Sequence, residues 1–589
     1  MTTNYFVTEA DIEIEGEMVP HTSDANNVTI LIDGNEYFRA ILAEIDQLLS
    51  DKRSGIGGGF FYFHNWLLGL EAFSNDYSTD LFGVPSTWKT TPTSSDAFRF
   101  DDGSGGHPLF LDKITELQTN GVDVRGMGWI SPFQISHQSG MFHEEVVAAQ
   151  WKTNLLTLKS IQALRAIAGL ENKIVMNVKG NARGAMHMKM VVSGNSNRLS
   201  GFVSGLDFQS GRISNSTHIP PGNKWHDAGA KVSGKAAKAL FDTYKEMWNA
   251  NVNSFPTPIL LKDSSGVSNV LSHVADKMLF PSQNWLPEAL SYDPGVKTPL
   301  ITQVIDEGTD TRLSVGGKEY VQVLRTYPPG SFDQYSDGVF EFRAAIKKAI
   351  AEANQYIYVE DQGLWSWEMM SWINQRLLAQ PALKVIMILG KDPDDPQNNL
   401  FRGAINDCLI KNLDSTAFGR IALYGVTAQT MHGKIVVIDD YWASIGSANF
   451  FQRSMYTDGE LSISVATNDA DITKSIAFKL RTRLTFEHCS HAPDASIDVL
   501  GDWYKIWRTS WGGPHASLTL QSKFKRFTLP IPFPSSPPIG MPPDSLGGVQ
   551  VPLKEHYFVD TDLFHEELYE PYSDWIDLMR KQDPVVRCK

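Results

Sequence analysis

The chain has 589 residues, of which 42% are hydrophobic and 20% charged, with a formal net charge of −15 and three cysteines, Cys408, Cys489 and Cys588. Its 15 Trp, 18 Tyr and 31 Phe exclude disorder for the bulk of the chain, and its length suffices for a large core in more than one lobe. The cysteines are too few and too scattered for a disulfide framework or a zinc site, and the acidic balance excludes a general nucleic-acid binder, though not a local basic pocket.

In chain order, Met1–Pro20 is acidic and has no apolar stretch of signal-peptide type. No run reaches the length of a membrane span, so the expectation is a protein of the cytoplasm, or one exported by a route that needs no signal peptide. Tyr37–Leu49 carries apolar residues at helical spacing and predicts an amphipathic helix. A glycine-rich turn then leads to Phe60–Phe63, which predicts a buried strand. Further on, Met188–Val192 predicts a strand, Ser204–Asp207 a tight small-residue segment, Gly229–Val232 a strand and Ala236–Trp248 a helix. The stretch from Ser254 to about Asp337 reads as a connector.

The same series then returns. Phe342–Ala353 predicts a helix with the F-R-A opening also found at Phe38, and Tyr356–Glu360 a strand. Gly433–Ile438 predicts a strand, Gly446–Asn449 a tight segment, Leu461–Val465 a strand and Ile472–Leu484 a helix. Leu529–Pro552 holds eight prolines and is extended, and the acidic, aromatic Tyr557–Met579 reads as a strap on the body. The fold class expected is α/β, with two homologous α/β/α lobes of mixed sheets flanked by helices, packed as a pseudo-dimer in one chain. The divisions expected are a first lobe over 1–253, a connector over 254–337, a second lobe over 338–520 and a proline-rich strap over 521–589.

One pattern occurs once per half. The second half reads His432-Gly-Lys434, four apolar residues, Asp439, then Gly446-Ser447-Ala-Asn449 and Glu460; the first reads His187-Met-Lys189, four residues, Gly194, then Ser204-Gly205-Leu-Asp207 and Trp225-His226-Asp227. On a strand, positions two apart share a face, so each histidine is expected to project beside its lysine. An imidazole next to an ammonium, with Ser and Asn donors nearby, suits a phosphate monoester or diester. Two such units facing one phosphorus supply a nucleophile and an acid, and Asp227 and Glu460 suit the fixing of imidazole tautomers.

On these residues the chain resembles the phospholipase D superfamily, in whose phospholipase members the HxKxxxxD motif is duplicated. The second half matches through His432, Lys434, Asp439, Gly446, Ser447, Asn449, the Gln452–Met455 run and Glu460. The first matches at His187, Lys189, the Gly205-Leu206-Asp207 segment and the Trp225–Gly234 element. Ile357–Gln362 is similar to the family's I-Y-I-E-N-Q strand, with Glu360 and Gln362 as supporting residues, and Phe61–Trp66 looks like its first-half counterpart. Gly194 departs from the pattern, which expects aspartate there. In the family that aspartate braces structure away from the phosphate, so the residues with direct chemical roles all remain.

The resemblance implies a phospholipase D that cleaves glycerophospholipids to phosphatidic acid and a head-group alcohol through a phosphohistidine. His187 would attack; His432 would protonate the leaving alcohol and then activate water, or a second alcohol in transphosphatidylation. Lys189, Lys434 and Asn449 would stabilise the phosphoryl oxygens, with Ser447, Gly205 and, as a weaker ligand, Asp207 lining the pocket. The partners implied are a phospholipid and, transiently, a membrane or micelle surface, for a chain that is a monomer and binds no nucleic acid. No cofactor or metal is called for, since no His/Cys cluster stands out. The competing readings are a nuclease or other phosphodiesterase of the same superfamily, disfavoured by the charge; a cardiolipin-type synthase, disfavoured by the missing membrane spans; and an inactive scaffold, for which Gly194 speaks. His226 reads as structural, His64 as either core or mouth, and His107, His137 and His143 as surface residues.

Overall fold

The computed structural model describes residues 2–70, 97–129, 156–254, 298–489 and 524–526, apart from positions 158, 178, 180–184, 217, 219–224, 330, 365, 391–403, 427–429 and 468–470. His137, His143, most of the connector, the proline-rich stretch and the strap lie outside the described residues.

The first half opens with strand β1 (His21–Ile32), which runs straight into helix α1 (Asp33–Arg53). Tyr37, Phe38, Ile41, Leu42, Ile45, Leu48 and Leu49 recur at three- and four-residue spacing and are all buried, so one stripe of α1 lies on the sheet. Acidic Asp33 and Glu36 in its first turn and Lys52 and Arg53 in its last complement the helix dipole. Then come β2 (Phe60–Asn65), α2 (Phe110–Thr119), β3 (Asp123–Trp129), β4 (Ile174–Asn177), β5 (Met190–Gly194), β6 (Leu199–Ser204), β7 (Trp225–His226), β8 (Ala228–Ser233) and α3 (Lys235–Ser254). The second half contains β9 (Glu319–Tyr327), α4 (Glu341–Glu352), β10 (Tyr356–Asp361), α5 (Trp367–Ala379), β11 (Lys384–Leu389), β12 (Ile421–Val426), β13 (Thr430–Met431), β14 (Ile435–Ile438), β15 (Trp442–Gly446), α6 (Gln452–Tyr456), β16 (Glu460–Thr467) and α7 (Ile476–Cys489), and β17 (Phe524–Arg526) closes one sheet edge. Thus the second half's first strand lies inside the stretch read as connector.

The two halves share one continuous mixed sheet, in the order β17-β12-β11-β10-β14-β15-β16-β9-β1-β8-β6-β5-β2-β3-β4. Read outward from its centre, the series β1-β8-β6-β5-β2-β3-β4 repeats as β9-β16-β15-β14-β10-β11-β12. The halves join at β1 and β9, which pair antiparallel (Thr22 opposite Gln322, Ser23 opposite Val321), as a pseudo-twofold axis requires. The two lobes expected as a pseudo-dimer are joined edge to edge, which leaves neither central edge open.

Side chains alternate across this sheet. Phe60 and Tyr62 on β2, with Tyr356 and Tyr358 on β10, enter a core shared by both halves, filled by Phe241, Tyr244 and Trp248 of α3 and Leu480 and Leu484 of α7. Phe61 and Phe63 face the first half's own core with α1 and α2, while Ile357 and Val359 face the second half's core with α4 and α5. The predicted helix at Ile472–Leu484 begins four residues later, because Ser475 Oγ accepts the Phe478 N–H at 2.9 Å and caps the true start.

Candidate active site

Both H-x-K units lie just before a strand, since β5 begins at Met190 and β14 at Ile435. Each lysine folds back onto its own histidine. Lys189 Nζ donates to the His187 carbonyl at 2.7 Å, and Lys434 Nζ to the His432 carbonyl at 2.6 Å. This tether fixes each ammonium beside its imidazole. His64, which reads from sequence as core or mouth, is fully buried between the Met188 carbonyl and Asn177, where it shores up the first unit from behind. His107 is exposed, as expected.

Backbone pairing then crosses the halves. Gly459, just before β16, accepts the His187 N–H at 2.7 Å, and His226 at the end of β7 accepts the His432 N–H at 2.8 Å. The residue after each acceptor is a carboxylate. As a result Glu460 of the second half holds His187, with both carboxylate oxygens 3.1 Å from Nδ1, and Asp227 of the first half holds His432, Oδ2 to Nδ1 at 2.6 Å. A carboxylate on Nδ1 leaves the proton there and aims the Nε2 lone pair outward. The side chains of His187 and His432 are 14% and 11% exposed, enough to meet a ligand.

Burial and the ammonium groups of Lys189 and Lys434 hold His187 well below the usual imidazole value. Burial, then Lys434, Arg212 and Lys189, do the same to His432. Both imidazoles are therefore neutral at neutral pH. Burial pushes Glu460 up to about 7 and Asp227 up to about 6 against their lysine neighbours, and lowers Lys189 to about 8. Lys434 is likewise lowered by burial. Two ammonium groups beside two neutral imidazoles offer donors suited to an anion.

The remaining predicted residues sort by what they touch. Ser447 Oγ and Ser454 Oγ donate to Glu460 at 2.5 and 2.7 Å, so Ser447 acts on the site through that carboxylate. Asn449 is buried with its Oδ1 unpartnered. Asp207 lies 3.8 Å from Lys189 Nζ and accepts the Leu67 N–H at 2.9 Å, a counter-charge rather than an anion ligand. Gly205 has room for nothing larger, because a Cβ there would come within 2.4 Å of Asp227 Oδ1. Gln362 is half-buried just beyond β10. Glu360 lies behind the site, its Oε2 2.8 Å from His226 Nε2 and its Oε1 2.8 Å from His488 Nε2.

Asp439 and Gly194 explain one another. The Asp439 carboxylate accepts the N–H groups of Asn354, Gln355 and Tyr356 at 2.6–2.8 Å and the Tyr5 hydroxyl at 3.0 Å, bracing the turn between α4 and β10. In the first half the corresponding turn between α1 and β2 is held by the Ser196 N–H on the Gly57 carbonyl, at 3.1 Å. A Cβ on Gly194 would fall 2.6 Å from the Arg198 carbonyl, so the expected aspartate has neither space nor work there.

Three groups at the site escape sequence reasoning. The Arg212 guanidinium stacks 3.4 Å above the Trp225 ring, whose centroid lies 4.7 Å from that of His432. Trp66, stacked on Trp129, lies 5.7 Å edge-on from His187. Asp361, pushed up to about 7 by burial, feels Lys434 and accepts the Phe450 N–H at 2.9 Å. Trp66 and Asp361 lie inside segments that the motif resemblance picks out, and Arg212 lies between the Ser204–Asp207 segment and Trp225, which is the signal that would have found them.

A family model described as "Cardiolipin synthase, PLD-like domain" matches residues 346–481. Among solved structures, the chain is similar to phosphatidylserine synthase of Haemophilus influenzae Rd KW20 (TM-score 0.43, 11% identity, 82% of this chain and 92% of that one). It is also similar to Nuc, a phospholipase D family member of Salmonella typhimurium (TM-score 0.20, 16% identity, 26% and 84%), and to polyphosphate kinase of Porphyromonas gingivalis (TM-score 0.37, 9% identity, 83% and 53%). No curated protein matches the sequence. Among the described residues no helix is long and apolar enough to cross a membrane. The family match falls on the half that carries the complete H-x-K-x-x-x-x-D motif, and the other half repeats its strand order and its histidine–carboxylate pair.

Proposed function

We propose that the protein is a phosphodiesterase of phospholipase D type, cleaving glycerophospholipids to phosphatidic acid and the head-group alcohol. The observation that carries this reading is the crossed pairing of two neutral imidazoles with carboxylates from opposite halves, beside two tethered ammonium groups. His187 Nε2 attacks phosphorus, forming a P–N bond while the P–O bond to the head group breaks. The entering phosphodiester offsets the cations around His432 and raises its proton affinity, so that Nε2 takes up a proton from solvent and passes it to the leaving oxygen. Water then attacks phosphorus, yields a proton to His432 and displaces His187. Lys189, Lys434 and Asn449 bear the charge on the non-bridging oxygens.

The net charge of −15 favours a lipid over a nucleic acid, whose phosphates call for a basic groove. Hydrolysis and transfer differ only in the acceptor that enters after the first step. The test is incubation of the purified chain with phosphatidylcholine micelles, with and without ethanol, following choline, phosphatidic acid and phosphatidylethanol. The expected products are choline and phosphatidic acid, diverted to phosphatidylethanol by ethanol and lost in His187→Ala. Cleavage of DNA without release of choline would overturn the lipid reading.

A further inference from the structure

Behind the W-H-D turn the fold gathers ionisable groups that phosphoryl transfer does not use. Asp33 opens α1, His218 precedes β7, His226 ends β7 and Glu487 sits in the last turn of α7, all with buried side chains. Scattered over the sequence, they gave no sign of a metal, and only folding brings them together. Glu487 Oε1 lies 2.9 Å from His218 Nε2 and 2.8 Å from His226 Nδ1, and the Asp33 carboxylate lies 3.1 Å from His226 Nδ1 and 3.5 Å from His218 Nε2. A tetrahedral ion with bonds of about 2.0–2.1 Å sets its ligand atoms about 3.3 Å apart. These four separations differ from that figure by at most about half an ångström, and all the ligand atoms lie within 4.8 Å of one another.

Three further observations point to a ligand. Despite these short separations, neither His226 Nδ1 nor Asp33 Oδ2 makes a well-aligned hydrogen bond among the described residues, although both are fully buried. Each histidine also has its outer nitrogen held: His226 Nε2 by Glu360 at 2.8 Å, and His218 Nδ1 by Ser214 Oγ at 2.9 Å. That is the supporting layer metal-binding imidazoles have. Finally, the pseudo-twofold sets Gly459 where the other half has His226, since each accepts the N–H of a motif histidine. The crossing of the halves works with glycine, so the imidazole at 226 serves something else.

We propose that Asp33, His218, His226 and Glu487 form a closed tetrahedral site for a divalent transition ion of the zinc type. Two carboxylates and two neutral imidazoles would neutralise the dication in the buried site. The ion would clamp α1, β7 and α7 and thereby set the turn that presents Asp227 to His432: the Asp33 N–H donates to the Asp227 carbonyl at 2.8 Å, and the Asp227 N–H to Asp33 Oδ1 at 3.3 Å. Its role is positioning, and it stands independently of which phosphodiester the protein cleaves.

The test measures metal content and melting temperature of the full chain. The expected result is one zinc per chain, a melting temperature lowered by a chelator and restored by Zn²⁺ but not Mg²⁺, and Co²⁺ uptake giving the absorption of a four-coordinate N/O site. His218→Ala and Glu487→Gln should lose the ion, while His107→Ala keeps it. If those variants fail to fold, chelation, Zn²⁺ restoration and the Co²⁺ spectrum of the unaltered chain decide. A protein that takes up no stoichiometric Zn²⁺ or Co²⁺ and melts alike with and without chelator would overturn the site, leaving a network of buried histidines and carboxylates. So would zinc retained in full by a folded Glu487→Gln.

Discussion

His432 Nδ1 lies 2.6 Å from Asp227 Oδ2 across 205 residues of sequence, and its counterpart His187 meets Glu460 across 273. Each half supplies the carboxylate for the other half's imidazole. Asp227→Asn should therefore lower kcat by about 10²–10⁴-fold with little change in KM, because the amide no longer holds the tautomer. Steady-state kinetics of Asp227→Asn, His432→Ala and the double variant check this. The double variant should be no worse than His432→Ala within a few fold, and additive losses would break the link between the two residues.

The pH profile should carry both carboxylate and lysine. Glu460 must ionise to support His187, so kcat/KM rises as pH passes about 7, and Lys189 loses its charge above about 8, so activity falls beyond it. Glu460→Gln should move the acid limb down towards the value of about 6 at Asp227, and Lys189→Arg should move the alkaline limb up. The stability sign follows from the same raised carboxylate. Between the ordinary glutamate value of 4.5 and about 7 the native state holds a proton the unfolded chain releases, so Glu460 costs stability as pH rises through that window. Melting curves at pH 5 and pH 8 should show Glu460→Gln gaining on the unaltered protein at the higher pH.

Gly194→Asp, which restores the motif on paper, should destabilise the protein by about 1–3 kcal/mol and leave kcat no higher, because the new Cβ meets the Arg198 carbonyl. Asp439→Ala should cost a similar amount by orphaning the N–H groups of the α4–β10 turn. Denaturant titration measures both. A stabilised, faster Gly194→Asp would mean that the first half is a degraded site.

Arg212 faces the pocket from the Trp225 ring and its charge bears on His432. Arg212→Met should reduce kcat/KM by about 10–100-fold, as loss of a charge-assisted contact to a phosphoryl oxygen does. Unchanged kinetics with normal folding would confine Arg212 to a structural role.

Much of this was legible before folding. The strand order repeats because helix–strand–strand patterns repeat, and the H-x-K residues stand out because few other spacings place imidazole and ammonium together. What the sequence hid is of two kinds. β1 and β9 join the halves through edge pairing, which leaves no local signature in His21–Ile32 or Glu319–Tyr327. The choice of partner for each histidine, and the meeting of Asp33, His218, His226 and Glu487, depend on chain crossings between residues far apart in sequence. Gly194 looked like a loss and proved to be a steric fit, because the role of Asp439 is a backbone brace that the other turn does not need.

The central claim is that His187 becomes covalently phosphorylated while His432 serves as acid and base. The direct measurement is mass spectrometry of peptides after alkaline quenching of His432→Ala with a phosphodiester bearing a p-nitrophenyl leaving group, which departs without an acid. The account predicts an adduct on the peptide containing His187, lost in His187→Ala. An adduct on His432 of the unaltered enzyme, or turnover undiminished in His187→Ala, would contradict it.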